Sequence, residues 1–191
     1  MDKQQFFQEL KLNPNRMFVV FAPIGISFSD NDWLAIDMMQ EICDELDIQL
    51  HVRFPPNDFV DEKELAKRPT LNYLYPGIRY GTKRGGDWDM TEKDSEILKN
   101  TLAYMEVLVA YATSLVIDAA IMDKLVININ FNLKIPEDMA HDPLMYYKYE
   151  HYKKALSTGG IKLVNTREEL VEALQLYLRK SRLLKELFWK I

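Results

Sequence analysis

Six short apolar runs alternate with stretches of helical spacing almost from one end of the chain to the other. The runs are Met17–Ala22 (MFVVFA), Ile48–Arg53 (IQLHVR), Leu71–Tyr75, Val107–Ala110, Leu125–Asn130 and Ile161–Val164. An apolar run this short, without an alternating polar face, reads as a strand covered on both sides. Helical spacing fills the intervals: residues 4–11, with Phe6, Phe7 and Leu10 together, then Asn31–Leu46 and a short piece over Asp61–Ala66. Further helices are expected from Thr91 to about Ala103, over Ser114–Asp123 and over Pro143–Leu156. Another runs from Thr166 to about Lys180, and a last helical stretch reaches Ile191. Thr91–Asp94 and Thr166–Glu169 both match a capping box, in which a hydroxyl accepts an orphan first-turn N–H. Strands separated by helices predict a three-layer α/β fold around a doubly wound, mostly parallel sheet.

Composition narrows the functional classes. The chain has 191 residues, 48% of them hydrophobic, which suits one domain over 1–191 and excludes disorder. Lys and Arg number 24 against 29 Asp and Glu, a net charge of −5, so no basic stripe for a sequence-independent nucleic-acid partner is expected. One cysteine, Cys43, excludes an intrachain disulfide and a CxxC zinc site, and its apolar-periodic setting predicts a buried, inert thiol. The N-terminal MDKQQFFQELKLN lacks a signal peptide's basic start and apolar run, and the apolar runs are too short to span a bilayer. A soluble, cytoplasmic protein is expected. His51, His141 and His151 show no metal-ligand spacing, and neither a Ser-His-Asp order nor HExxH can be read, so no metal and no cofactor is expected.

Ligands of open α/β sheets bind beyond the carboxyl ends of the strands. That rule selects the loops after Ala22, Arg53, Ala110 and Asn130. In the third, Thr113 and Ser114 precede a helix, where free N–H groups favour anions and a hydroxyl can add a donor. Asp118 lies four residues on, along the same helix face. A plain helix cap by either hydroxyl is the other reading. In the second, Arg53 ends a strand before Pro55 and Pro56, and its fork of donors suits phosphate. An Arg53–Asp58 pair that merely supports the loop is the other reading there. The segment GIRYGTKRGGDWD is neither GxGxxG nor a Walker motif; it reads as a mobile loop, with Arg79, Lys83 and Arg84 as solvated charge.

The segment YATSLVIDAAIMDKLVININF resembles the "ST…(D/E)A…kPvi.i" signature in the C-terminal half of GT-B-type glycosyltransferases. The order HVRFPPND, then DWDMTEKDSEILKNTLAYMEVLVAYATS, then YEHYKKALSTGGIKLVNTREELVEALQLYL strengthens the resemblance, which covers about residues 16–180. It points to the nucleotide-binding half of bacterial surface-polysaccharide transferases, an architecture shared with CDP-glycerol glycerophosphotransferases and UDP-N-acetylglucosamine 2-epimerases. The resemblance implies that Thr113 and Ser114 hold the donor diphosphate and that Asp118 contacts ribose or orients the loop. It implies that Arg53 is the Arg of an "RxHPxD" stretch whose His is missing here, Phe54 and Pro55 standing at that place. Gly25 falls in the first loop, where such enzymes approach donor or acceptor, and His151 with Gly159–Gly160 matches an "HY…GG" stretch. Leu125 replaces the usual Pro of "kPvi".

GT-B enzymes carry two such halves with the active site between them, and only the second is visible here. The implied chain binds a nucleotide-sugar or CDP-polyol donor and is inactive without its N-terminal half. Any membrane contact of the full enzyme is peripheral. A C-terminal helix at about 181–191, with Leu183, Leu184, Leu187, Phe188 and Ile191 on one side, packs against that half or makes a homo-oligomer. A non-catalytic interaction module and half of a UDP-sugar epimerase are the alternatives.

Overall fold

The structure, a computed structural model, describes residues 1–188, with side chains through Leu183. Six strands form one parallel sheet: β1 (Phe18–Ala22), β2 (Gln49–Arg53), β3 (Tyr73–Leu74), β6 (Val107–Ala110), β7 (Leu125–Ile129) and β8 (Ile161–Val164). Their order is β3-β2-β1-β6-β7-β8. The chain winds outward in one direction from β1 and in the other from β6, so the topological switch lies between those two central strands. A two-residue hairpin, β4 (Ile78–Arg79) with β5 (Trp88–Asp89), stands apart from the sheet.

Helices cover both faces, as the apolar strands require. Val19 and Phe21 of β1 pack with α2 (Asp32–Glu45) and α7 (Arg167–Phe188). Phe18, Val20 and Ala22 point the other way, toward α1 (Lys3–Glu9), α4 (Glu92–Tyr104), α5 (Leu115–Ile121) and α6 (Glu150–Ser157). The short α3 (Glu62–Ala66) lies between β2 and β3 and buries none of its residues fully. All five residues of β1 and all four of β6 are buried. Each such Val, Leu or Ile contributes roughly 1.5–3 kcal/mol on burial, so these central strands anchor the fold. Cys43 is fully buried, and burial pushes its thiol up to about 12, which keeps it inert.

Thr91 and Asp94 form the expected capping box at the start of α4. Thr166 accepts from Glu169 N at 3.1 Å, but the Glu169 carboxylate reaches Asn165 N instead of Thr166. Three segments differ from the sequence expectation. Pro143–Lys148 forms a 3-10 turn and α6 starts only at Glu150, because Tyr149 is extended at φ −71°, ψ 141°. Tyr147 and Tyr152 fix the break, donating to Ile129 O at 2.8 Å and bonding Asn128 Nδ2 at 2.6 Å. The Gly-rich segment contains a hairpin. The two C-terminal helices are one, α7, with no interruption at Lys180; Leu183 is exposed on it, and the side chains of Leu184, Leu187 and Phe188, with all of Ile191, lie outside the described residues. No described helix is long and apolar enough to cross a membrane.

Candidate functional site

Register places the site. Ala22 pairs with Ala110 and Arg53 with Leu74, so the loops after β1, β2 and β6 emerge side by side at the carboxyl edge of the sheet. They enclose a cleft of about 380 Å³. Arg53, Thr113, Ser114 and Asp118 all line it. Pro23, Phe54, Pro55, Trp88, Met90 and Leu98 supply its apolar wall.

Arg53 is only 5% exposed, and its Nη1 is buried without a hydrogen-bond partner. It makes no ion pair among the described residues. Asp58, the partner offered by the loop-support reading, is engaged elsewhere: it pairs with Arg84 at 3.3 Å. Burial pulls the Arg53 pKa down to about 10, against the opposing charge of Asp94. A buried guanidinium with an idle donor is costly unless an anion meets it.

Thr113 repeats the pattern, since its Oγ1 is buried with no partner. Ser114 occupies the position before α5 yet makes no side-chain capping bond, so the plain-cap reading of the two hydroxyls is not what the structure adopts. Helix α5 has seven residues, shorter than the expected span to Asp123, because Met122 leaves the helical conformation and Asp123 turns left-handed at φ 54°. With two turns of helix the dipole is small, and attraction for an anion falls mainly to Arg53. Asp118 stands on the same face as Ser114, at the cleft wall.

Gly25 does not line the cleft. Its φ is +114°, its N–H donates to Asp32 Oδ2 at 2.7 Å, and a Cβ there would run into the Asp58 carboxylate. Gly25→Ala is expected to cost roughly 2–4 kcal/mol in denaturant unfolding, from backbone strain and the collision together. A loss under about 0.5 kcal/mol would mean that the loop relaxes freely.

Arg79 and Arg84 of the Gly-rich segment are tied down, which corrects their reading as solvated charge, whereas Lys83 is exposed as that reading expects. Arg79 stacks 3.2 Å from the Tyr75 ring centre and donates to Pro56 O at 2.7 Å. Arg84 lies 4.1 Å over Phe28 as well as beside Asp58. Trp88 enters the cleft wall from this segment, a residue that periodicity could not single out.

His51 is fully buried, with Nδ1 2.6 Å from Asn72 Oδ1, and burial pushes its pKa down to about 4, so it is a neutral structural group. His151 is exposed, stacks on Tyr149 and does not line the cleft. Asp32, buried in the first turn of α2, is raised to about 7 by burial. No group of three or more His, Cys, Asp or Glu able to hold a metal ion occurs among the described residues.

No family model matches this chain, and no curated protein sequence matches it. Solved structures do. UDP-GlcNAc 2-epimerase from Methanocaldococcus jannaschii aligns with a TM-score of 0.54 at 12% identity, over 91% of this chain and 41% of that one. ADP-heptose LPS heptosyltransferase II from E. coli gives 0.50 at 14% identity, over 94% and 52%. The chain thus spans about half the length of these GT-B-like folds, or less. The molybdenum cofactor carrier protein from Chlamydomonas reinhardtii gives 0.50 at 14% identity, over 86% of this chain and 99% of that one. At these identities the likeness establishes the fold: a Rossmann-like, doubly wound parallel sheet, as the strand and helix alternation predicts.

Proposed function

We propose that the cleft binds the diphosphate of a nucleotide-sugar or CDP-polyol donor. The chain is then the donor-binding half of a glycosyl- or glycerophosphotransferase of surface-polysaccharide synthesis in the cytoplasm. One observation carries this reading: Arg53, buried with an unpartnered Nη1, lines the same cleft as Thr113, whose hydroxyl is unpartnered, and Ser114, whose side chain makes no capping bond. Those groups match a leaving phosphate. In a nucleotide-sugar the anomeric C–O bond breaks and the nucleoside diphosphate leaves; in a CDP-polyol the P–O–P bridge breaks and CMP leaves. In both the electron pair goes to the leaving phosphate oxygen, where preorganised donors stabilise the charge. Asp118 accepts from a ribose hydroxyl. The base that takes the acceptor's proton comes from the other half of the enzyme, so this chain binds without turning over.

Ser114→Ala is expected to weaken nucleoside diphosphate binding about tenfold, the worth of one hydrogen bond to a charged group, with an unchanged circular dichroism spectrum. Equal affinity by calorimetry would remove Ser114 from the site. Half of a UDP-sugar epimerase is the second reading, favoured by the likeness to the M. jannaschii enzyme. Isomerised sugar, rather than transferred sugar, from the reconstituted two-half protein would select it.

A further inference from the structure

The hairpin β4-β5 makes two residue pairs and joins no larger sheet. A hairpin that small does not hold its place alone. Its own Ile78 and the neighbouring Tyr80 are 60% and 68% exposed, so they do not anchor it by burial. Its anchors reach the loop after β2, where Arg79 donates to Pro56 O at 2.7 Å and further bonds meet at Asp58. The Asp58 carbonyl accepts from the Tyr75 hydroxyl and from Arg79 Nη2 at 3.4 Å. The Asp58 carboxylate, with no exposed surface, meets Arg84 Nε at 3.3 Å. The same carboxylate accepts from Ser27 N at 3.0 Å and Ser27 Oγ at 2.6 Å in the loop after β1. Asp58 itself does not line the cleft, but both loops it joins do, and the hairpin contributes Trp88 with Met90 just beyond it.

We propose that Asp58, through Arg84, is a positioning residue that couples docking of the hairpin to occupancy of the cleft by a nucleotide. The inference rests on the nucleotide reading above. A nucleotide spanning the cleft touches Trp88 and Met90 only while the hairpin is docked, so it binds the docked state more tightly. By linkage it then holds the hairpin down to the same degree that docking favours the nucleotide. Inorganic pyrophosphate has no sugar or base to reach Trp88 and Met90, so it escapes the coupling.

The test uses the full chain with CDP, UDP and inorganic pyrophosphate. Saturating nucleotide is expected to slow tryptic cleavage after Lys83, at the exposed hairpin tip, about fivefold or more, because proteolysis follows the open population. Arg84→Gln is expected to weaken the better nucleotide about tenfold and leave pyrophosphate unchanged, and Arg84→Lys to restore most of the loss. Asp58→Asn shows the same ligand pattern and, combined with Arg84→Gln, adds little further loss. Nucleotide affinity unchanged in Arg84→Gln, or nucleotide and pyrophosphate weakened equally, overturns the coupling while leaving the cleft reading intact. Failure of the wild-type chain to bind any of the three overturns the cleft reading and the coupling with it.

Discussion

Arg53→Met is expected to lose nucleoside diphosphate binding by a factor of roughly a hundred or more while the empty protein becomes no less stable. The two effects share one cause. Arg53 sits 5% exposed with Nη1 unpartnered and no ion pair among the described residues, and the charge of Asp94 offsets only part of its desolvation. A charge buried outside an ion pair carries a desolvation cost on the order of several kcal/mol, which an apolar side chain of similar length does not carry. A phosphate loses the bidentate, charge-assisted contact at the same time, about 3 kcal/mol or more. Thermal unfolding of the two empty proteins reads the first effect, and calorimetric titration reads the second. A structural role for Arg53 predicts the opposite pattern: Arg53→Met unfolds earlier.

The second large effect is on the pH profile. Asp32 titrates at about 7 in the folded chain against 3.8 for a solvated aspartate, because burial outweighs its bonds from Gly25 N, Ile24 N and Ser29. The folded state therefore keeps a proton that the unfolded state has released, and stability falls as pH rises from about 3.8 to about 7. The full span is roughly 4 kcal/mol. His51 works the other way. Its pKa of about 4, against 6.5, means that the unfolded state binds the proton first, and stability falls by roughly 3 kcal/mol as pH drops from 6.5 to 4. Between about pH 4 and 6.5 the two slopes nearly cancel. Asp32→Asn removes one of them: stability then climbs by about 3 kcal/mol more than in the wild type across that range. Denaturant unfolding at several pH values reads the difference directly. Parallel profiles for the two proteins would place Asp32 in contact with solvent or with a cation.

The layered fold was legible because burial on both faces leaves a plain mark. FVVFA and VLVA have no polar side, and the structure buries every residue of both. The rule that ligands gather at strand ends also brought Arg53, Thr113, Ser114 and Asp118 together, although 60 residues separate Arg53 from Thr113. What stayed hidden depends on approach in space. Asp58 reads as the natural partner of Arg53, five residues away, and pairs instead with Arg84 of the hairpin turn, 26 residues further on. Gly25 reads as a ligand-loop glycine, and its bare Cα is required by the Asp58 carboxylate packed on it. The hairpin is held by guanidinium bonds to carbonyls and by stacking on rings, contacts that impose no periodicity on the residues that make them. The tyrosines of 143–156 mimic one helix, but two of their hydroxyls bond groups at the end of β7 and divide the segment.

Whether the cleft between β1, β2 and β6 holds a nucleoside diphosphate is read most directly by thermal unfolding of the wild-type chain. The ligands are CDP, UDP, GDP, their sugar or glycerol conjugates, and ATP as control. A ligand at about a hundred times its dissociation constant adds roughly 2.7 kcal/mol, which for a chain of this size raises Tm by about 5–10 °C. Such a shift is expected with one base and is expected to be absent in Arg53→Met. No shift with any member of the panel, or an equal shift in Arg53→Met, would contradict nucleotide binding at this cleft.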